Sequence, residues 1–120
     1  MFTSGIGPDE PGTGRPVKGS IADHTRQALR NLTAVLAAHG LDLRHVLRCT
    51  VHLTDIHRDW VLFDQVYQEF FHPPYPVRTT VGSALGNGML IELNAVAHRL
   101  LPDCGQGTGT EGMAGLASDG

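Results

Sequence analysis

The sequence predicts a single domain built as a mixed sheet with two helices packed on one face. Three observations lead there. Apolar residues recur at helical spacing over 21–38. They alternate with polar ones over 46–54. An aromatic stripe after Asp55 is followed by two apolar segments around Gly86-Asn87-Gly88. A strand–helix–strand succession favours a sheet with helices laid on it, because each apolar stripe needs a surface to cover it.

The elements follow in order. Residues 1–6 are a candidate edge strand, and the stretch from Gly5 to Gly19, with five Gly and three Pro, reads as loop. Ser20 followed by Asp23 resembles a capping box, and Ile21, Ala28, Leu29, Leu32, Val35 and Leu36 then share one helix face. Arg26, Arg30 and Asn31 are expected to face outward, and Gly40 to stop the helix. Leu47, Cys49, Val51 and Leu53 alternate with polar residues, which makes 46–54 a strand with one buried face. Asp55 starts a second helix carrying Trp60, Phe63, Tyr67, Phe70 and Phe71, and His72-Pro73-Pro74 ends it. Strands over 77–85 and 89–99 are expected to pair as a hairpin through Gly86-Asn87-Gly88. Val81, Leu85, Met89, Leu90, Ile91 and Leu93 make that pair apolar on both faces near its tip, so one face is expected to meet another chain. The last residues, 102–120, hold six Gly and are expected to be a disordered tail behind a domain spanning 1–101.

Composition narrows the function. The 120 residues hold nine Lys+Arg and twelve Asp+Glu, for a formal charge of −3. That balance argues against a nucleic-acid surface, which needs clustered basic charge. No apolar run approaches the ~20 residues of a membrane span, and residues 1–5 do not read as a signal peptide. Two cysteines, Cys49 and Cys104, make no disulfide framework, so a cytoplasmic protein with free thiols is expected. Seven histidines are scattered without metal-ligand spacing, and read as surface residues rather than ligands. His57-Arg58-Asp59 and the short Gly-x-Gly pairs lack the partners that kinase or phosphate-loop chemistry requires.

Three positions remain as chemical candidates. Ser4 stands at the end of the candidate first strand, where a local backbone hydrogen bond is the plain explanation. Arg78 and Glu92 sit inside apolar strands, where a charge is either solvated or held in a site. A tight hairpin would not set these two opposite each other. A longer loop, or a contact across a subunit boundary, would be needed to join them.

Taken together, several segments resemble the YjgF/RidA family. They are Phe2-Thr3-Ser4-Gly5 before a Pro-Asp-x-x-Gly-Thr-Gly loop, His24 to Leu32, Cys49 to Asp55, Val66 to Phe71, Pro76-Val77-Arg78-Thr79-Thr80-Val81, and Leu90-Ile91-Glu92-Leu93-Asn94-Ala95-Val96-Ala97. The resemblance covers about residues 2–99. It implies a chorismate-mutase-like α+β fold, usually a homotrimer with clefts between subunits. It implies hydrolytic deamination of reactive 2-imino acids or enamines, of the 2-iminopropanoate and 2-iminobutanoate type, to 2-oxo acids and ammonia, with no cofactor and no metal. Arg78 matches the substrate-carboxylate arginine, Glu92 the glutamate that positions or activates water, and Ser4 and Gly5 the pair lining the pocket. Thr80 falls at a catalytic position where many members have Cys. This chain departs from the family in Thr80, in Ile6 for the common Gln, in Asp64 where Asn is frequent, in an Arg78-to-Glu92 spacing one residue tighter, and in an expected absence of the family's first strand. These departures leave two alternatives beside the deaminase: a non-enzymatic trimeric protein that binds small metabolites, or a tailoring enzyme of a biosynthetic pathway.

Overall fold

Ser20 opens the first helix, α1 (Ile21–Ala37), with the expected reciprocal cap. Its hydroxyl accepts from the Ala22 N–H at 3.2 Å, and the Asp23 carboxylate accepts from the Ser20 N–H at 3.0 Å. Ile21, Ala28, Leu29, Leu32 and Leu36 are buried as a stripe, while Val35 falls outside it on the exposed side. Gly40, at φ +73°, takes the left-handed conformation that turns the chain out of the helix. A computed structural model describes residues 1–99 in this way. The tail expected over 102–120, the domain's end at 101 and Cys104 lie outside the described residues.

β1 (Val46–Leu53) is the central strand, and α2 (Ile56–Gln68) follows it, capped by the Asp55 carboxylate on the Arg58 N–H. β2 (Val77–Gly82) then runs parallel to β1, and β3 (Ile91–Ala97) runs antiparallel to it. The sheet order is β2-β1-β3. Cys49, Val51, Leu53, Ile91, Leu93, Ala95 and Ala97 point to the helix side and form the core with the two helices. The opposite face stays open.

The expected hairpin is therefore corrected: β2 and β3 flank β1 and do not pair with each other. The turn itself exists, with Asn87 at φ 62°, Gly88 at φ 75° and the Met89 N–H on the Gly86 carbonyl at 3.2 Å. It belongs to a crossover over the end of β1. Ser83 N–H bonds the Leu53 carbonyl on one side, and Thr54 N–H bonds the Leu90 carbonyl on the other. A parallel β1–α2–β2 unit leaves β3 only the far edge of β1, a constraint that turn chemistry alone does not reveal.

Residues 1–6 run along the free edge of β3, through bridges Phe2 to Val96 and Ile6 to Leu93, instead of a continuous strand. Two further expectations change. Leu47 is 45 % exposed, because a bulge between Val46 and Arg48 shifts the alternation by one residue. Asn31 does not simply face solvent, since its amide donates to the carbonyls of Gly7 and Asp9 at 3.0 and 2.8 Å and holds the glycine-rich loop onto α1.

Candidate functional site

Arg78 projects from β2 to the helix side, where α2 has prepared a place for it. Its Nη1 donates to Asp64 Oδ1 at 2.8 Å, and its guanidinium carbon lies 5.3, 5.1 and 4.7 Å from the ring centres of Trp60, Phe63 and Tyr67. Rings at such distances attract a cation and hold the guanidinium in place. Asp64 is fixed in turn, because its Oδ2 accepts from Gln68 Nε2 at 2.8 Å. The Arg78 side chain is 20 % exposed and lines an open cleft of about 500 Å³ with Asp64, Tyr67, Gln68, Tyr75 and Pro76. Among the described residues its other nitrogens make no hydrogen bond, so donors remain for a ligand.

Thr80 lies two residues further on β2 and faces the same side. The hydroxyls of Thr80 and Tyr67 are buried; that of Tyr67 lies against the Cys49 thiol, and that of Thr80 has no partner among the described residues. Buried polar groups are nearly always bonded, which sets the Thr80 hydroxyl apart. Burial raises the Tyr67 hydroxyl far above its usual range, so it stays protonated as a donor. Cys49, beneath, is core: burial pushes its thiol up to about 11.

Glu92 is elsewhere. On β3 it points to the open face, opposite His52 of β1. Gly5 lies against its carboxylate so closely that any side chain at position 5 would overlap it. Ser4 is exposed beside Gly5, and its carbonyl, not its hydroxyl, carries the local bond, accepting from Thr3 Oγ1 at 2.9 Å. His52 shares a 2.8 Å hydrogen bond with Ser83 Oγ on the same stretch.

The predicted residues thus form two groups. Arg78 and Thr80 belong to the β2 edge and the helix face. Glu92, Gly5 and Ser4 belong to the β3 edge, with Glu92 on the open face. Arg78 stands opposite Cys49 and Glu92 opposite His52. Three residues along the strand and two strand spacings across put their Cα atoms roughly 14 Å apart, with side chains on opposite faces. One chain does not bring them together.

On sequence alone Trp60, Phe63 and Tyr67 form one helix stripe and Asp64 has no role. Trp60, Asp64 and Tyr67 are spaced i, i+4, i+7, so an acid inside an aromatic stripe was the signal available. The histidines also need one correction: His24 is buried at 4 % exposure, with Nδ1 accepting the Leu90 N–H at 3.2 Å. Among the described residues no cluster of His, Cys, Asp or Glu is arranged to hold a metal ion.

These features define a class: an α+β domain with a charged cleft of small-molecule size. The comparisons carry this further. The family model described as Endoribonuclease L-PSP matches residues 1–99. A RutC family protein of Pyrococcus horikoshii is 41 % identical over 100 residues, covering 82 % of this chain and 79 % of its own. The human 2-iminobutanoate/2-iminopropanoate deaminase is 37 % identical over 99 residues, covering 81 % and 71 %. The crystal structure of E. coli TdcF with bound serine superposes with a TM-score of 0.77 at 34 % identity, covering 82 % and 80 %. The chain belongs to the YjgF/RidA family, the group covered by that Endoribonuclease L-PSP model, and has its α+β fold.

Proposed function

We propose that the protein hydrolyses 2-imino acids or their enamine tautomers to 2-oxo acids and ammonia, in clefts between subunits of a homotrimer. The observation that carries this reading is Arg78, held among three aromatic rings with unused donors at a cleft. A guanidinium so presented matches a carboxylate in two-point geometry. The similarity to the human deaminase supports the substrate class, and the serine bound in the E. coli relative supports a small ligand of amino-acid type.

The chemistry asks little of the protein. Water adds to the electrophilic imine carbon, a proton moves to nitrogen, and ammonia leaves as the carbonyl forms. Arg78 holds the substrate carboxylate. Glu92 accepts a hydrogen bond from the attacking water and orients it, and Ser4 and Gly5 shape the wall beside it. Thr80, two residues beyond Arg78 on β2, offers its backbone to the bound substrate. Holding the reactants in place supplies most of the acceleration needed for so reactive a substrate.

Arg78 and Glu92 can serve one substrate only if different chains supply them. The open face supports such an assembly: Phe2 is 82 % exposed and Val77 65 %, and both line a largely apolar groove with Leu47, Val96 and the charged Arg48. Joining the β2 edge of one chain to the β3 edge of the next is a contact between unlike surfaces, the kind that closes into rings. The formal charge of −3 weighs against the ribonuclease activity in the family model's description.

The test generates 2-iminopropanoate with an amino-acid oxidase and follows its capture by semicarbazide. The protein is expected to drain the imine and slow semicarbazone formation, and Arg78→Ala to abolish the effect. An unchanged rate with wild type, or an Arg78→Ala variant as active as wild type, would contradict the reading.

A further inference from the structure

We propose that Asp64 makes the Arg78 cleft select ligands that carry a cationic nitrogen beside their carboxylate, and reject carboxylates that lack one. Its consequence for turnover rests on the deaminase reading; the binding preference rests on the cleft alone.

The positive charge of Arg78 is already met by Asp64 at 2.8 Å. A lone carboxylate entering the cleft gains the guanidinium but comes beside a second carboxylate, so attraction and repulsion act over similar distances and largely cancel. The part-buried 2.8 Å bond to Arg78 keeps Asp64 at the cleft, and Gln68 adds a weaker exposed bond to its other oxygen. Within one chain, Asp64 and Arg78 are the charged residues lining this cleft; in the shared site proposed above, Glu92 of the neighbouring chain adds a second carboxylate, which favours the same ligands. A ligand with both charges meets neither penalty: its carboxylate takes the unused Arg78 nitrogens and its nitrogen takes Asp64. In an α-amino or α-imino acid the nitrogen and the carboxylate sit on adjacent carbons, so the two ligand charges are neighbours, as the two protein charges are.

The selection has a direction in turnover. Protonated on nitrogen, an imino acid carries both charges. Its hydrolysis adds water and expels ammonium, which carries the positive charge away, and the remaining 2-oxo acid keeps only the carboxylate. Asp64 then faces an unbalanced negative charge and drives the product out, so one residue favours substrate binding and product release.

The experiment titrates the full-length assembled protein by calorimetry with L-alanine and L-serine, then with pyruvate and L-lactate. Asp64→Asn, which keeps the shape, and Asp64→Ala, which guards against an amide-specific effect, are titrated alongside. Wild type is expected to bind the amino acids about tenfold tighter than the simple carboxylates, and both variants to tighten pyruvate about tenfold while weakening L-alanine, as loss of one close charge contact predicts. Equal affinities in wild type, pyruvate binding unchanged by both substitutions, or binding of neither ligand class would each overturn the proposal. Imine turnover is measured in the same samples. A wild type that shows the ligand switch without turnover sinks the deaminase reading and leaves the selectivity standing; turnover without the switch does the reverse.

Discussion

Replacing Gly5 by Ala should damage the site while leaving the fold intact. A methyl at this position would lie 2.9 Å from Glu92 Cδ and closer still to its carboxylate oxygen, where ordinary contact begins at 3.4 Å. The carboxyl group must therefore swing by about 1 Å, and a misplacement of that size costs on the order of 10²-fold in rate. The fold has less to lose. Gly5 is exposed, its φ is not in the left-handed range, and the colliding atoms are the mobile end of a side chain. Stability should change by less than about 1 kcal/mol. Imine turnover and thermal unfolding, measured on the same preparation, separate the two effects. Wild-type turnover in Gly5→Ala would refute a positioned role for Glu92. Gross destabilisation would refute the view that this contact serves the site.

Three further outcomes follow from the packing. Burial holds the pKa of His24 below its usual 6.5, against the opposing pull of the Val17 carbonyl, Asp23 and Asp59, so the folded state resists protonation there. The unfolded chain then binds more protons, and the stability present above pH 6.5 should fall as pH drops below it, by up to ~1.4 kcal/mol per pH unit; urea midpoints between pH 7.5 and 5 check this, and His24→Gln should flatten the slope. Asn31→Ala removes both bonds to the loop carbonyls and should cost about 1–3 kcal/mol, with faster amide exchange over residues 7–17. Cys49, its thiol pushed up to about 11, should resist iodoacetamide at pH 8 in the native protein and react after urea, read by mass on the peptide containing it.

Local rules carried most of the fold. The Ser20 and Asp55 caps, both helices and the alternation of β1 were legible because each is decided by neighbours in sequence. Strand pairing was not. Asn87-Gly88 is the turn chemistry of a hairpin, and the turn forms, but the parallel β1–α2–β2 crossover had already occupied one edge of β1. The bulge that exposes Leu47 is likewise set by the partner strand and carries no mark in the alternation. For the site, Arg78 and Glu92 stood out as charges within apolar strands. That they lie on opposite faces depends on the sheet order, and that Asp64 neutralises Arg78 depends on how α2 docks on β2. Both are tertiary facts.

The central claim is that a working cleft takes Arg78 from one chain and Glu92 from another. Mixing two inactive variants tests it most directly. Arg78→Ala and Glu92→Gln chains are unfolded together, refolded at equal amounts and assayed for imine hydrolysis. If the site is shared, random mixing rebuilds roughly a quarter of the clefts with both residues intact, and activity returns to roughly a quarter of wild type. If each chain carried its own complete site, the mixture would stay as inactive as its components.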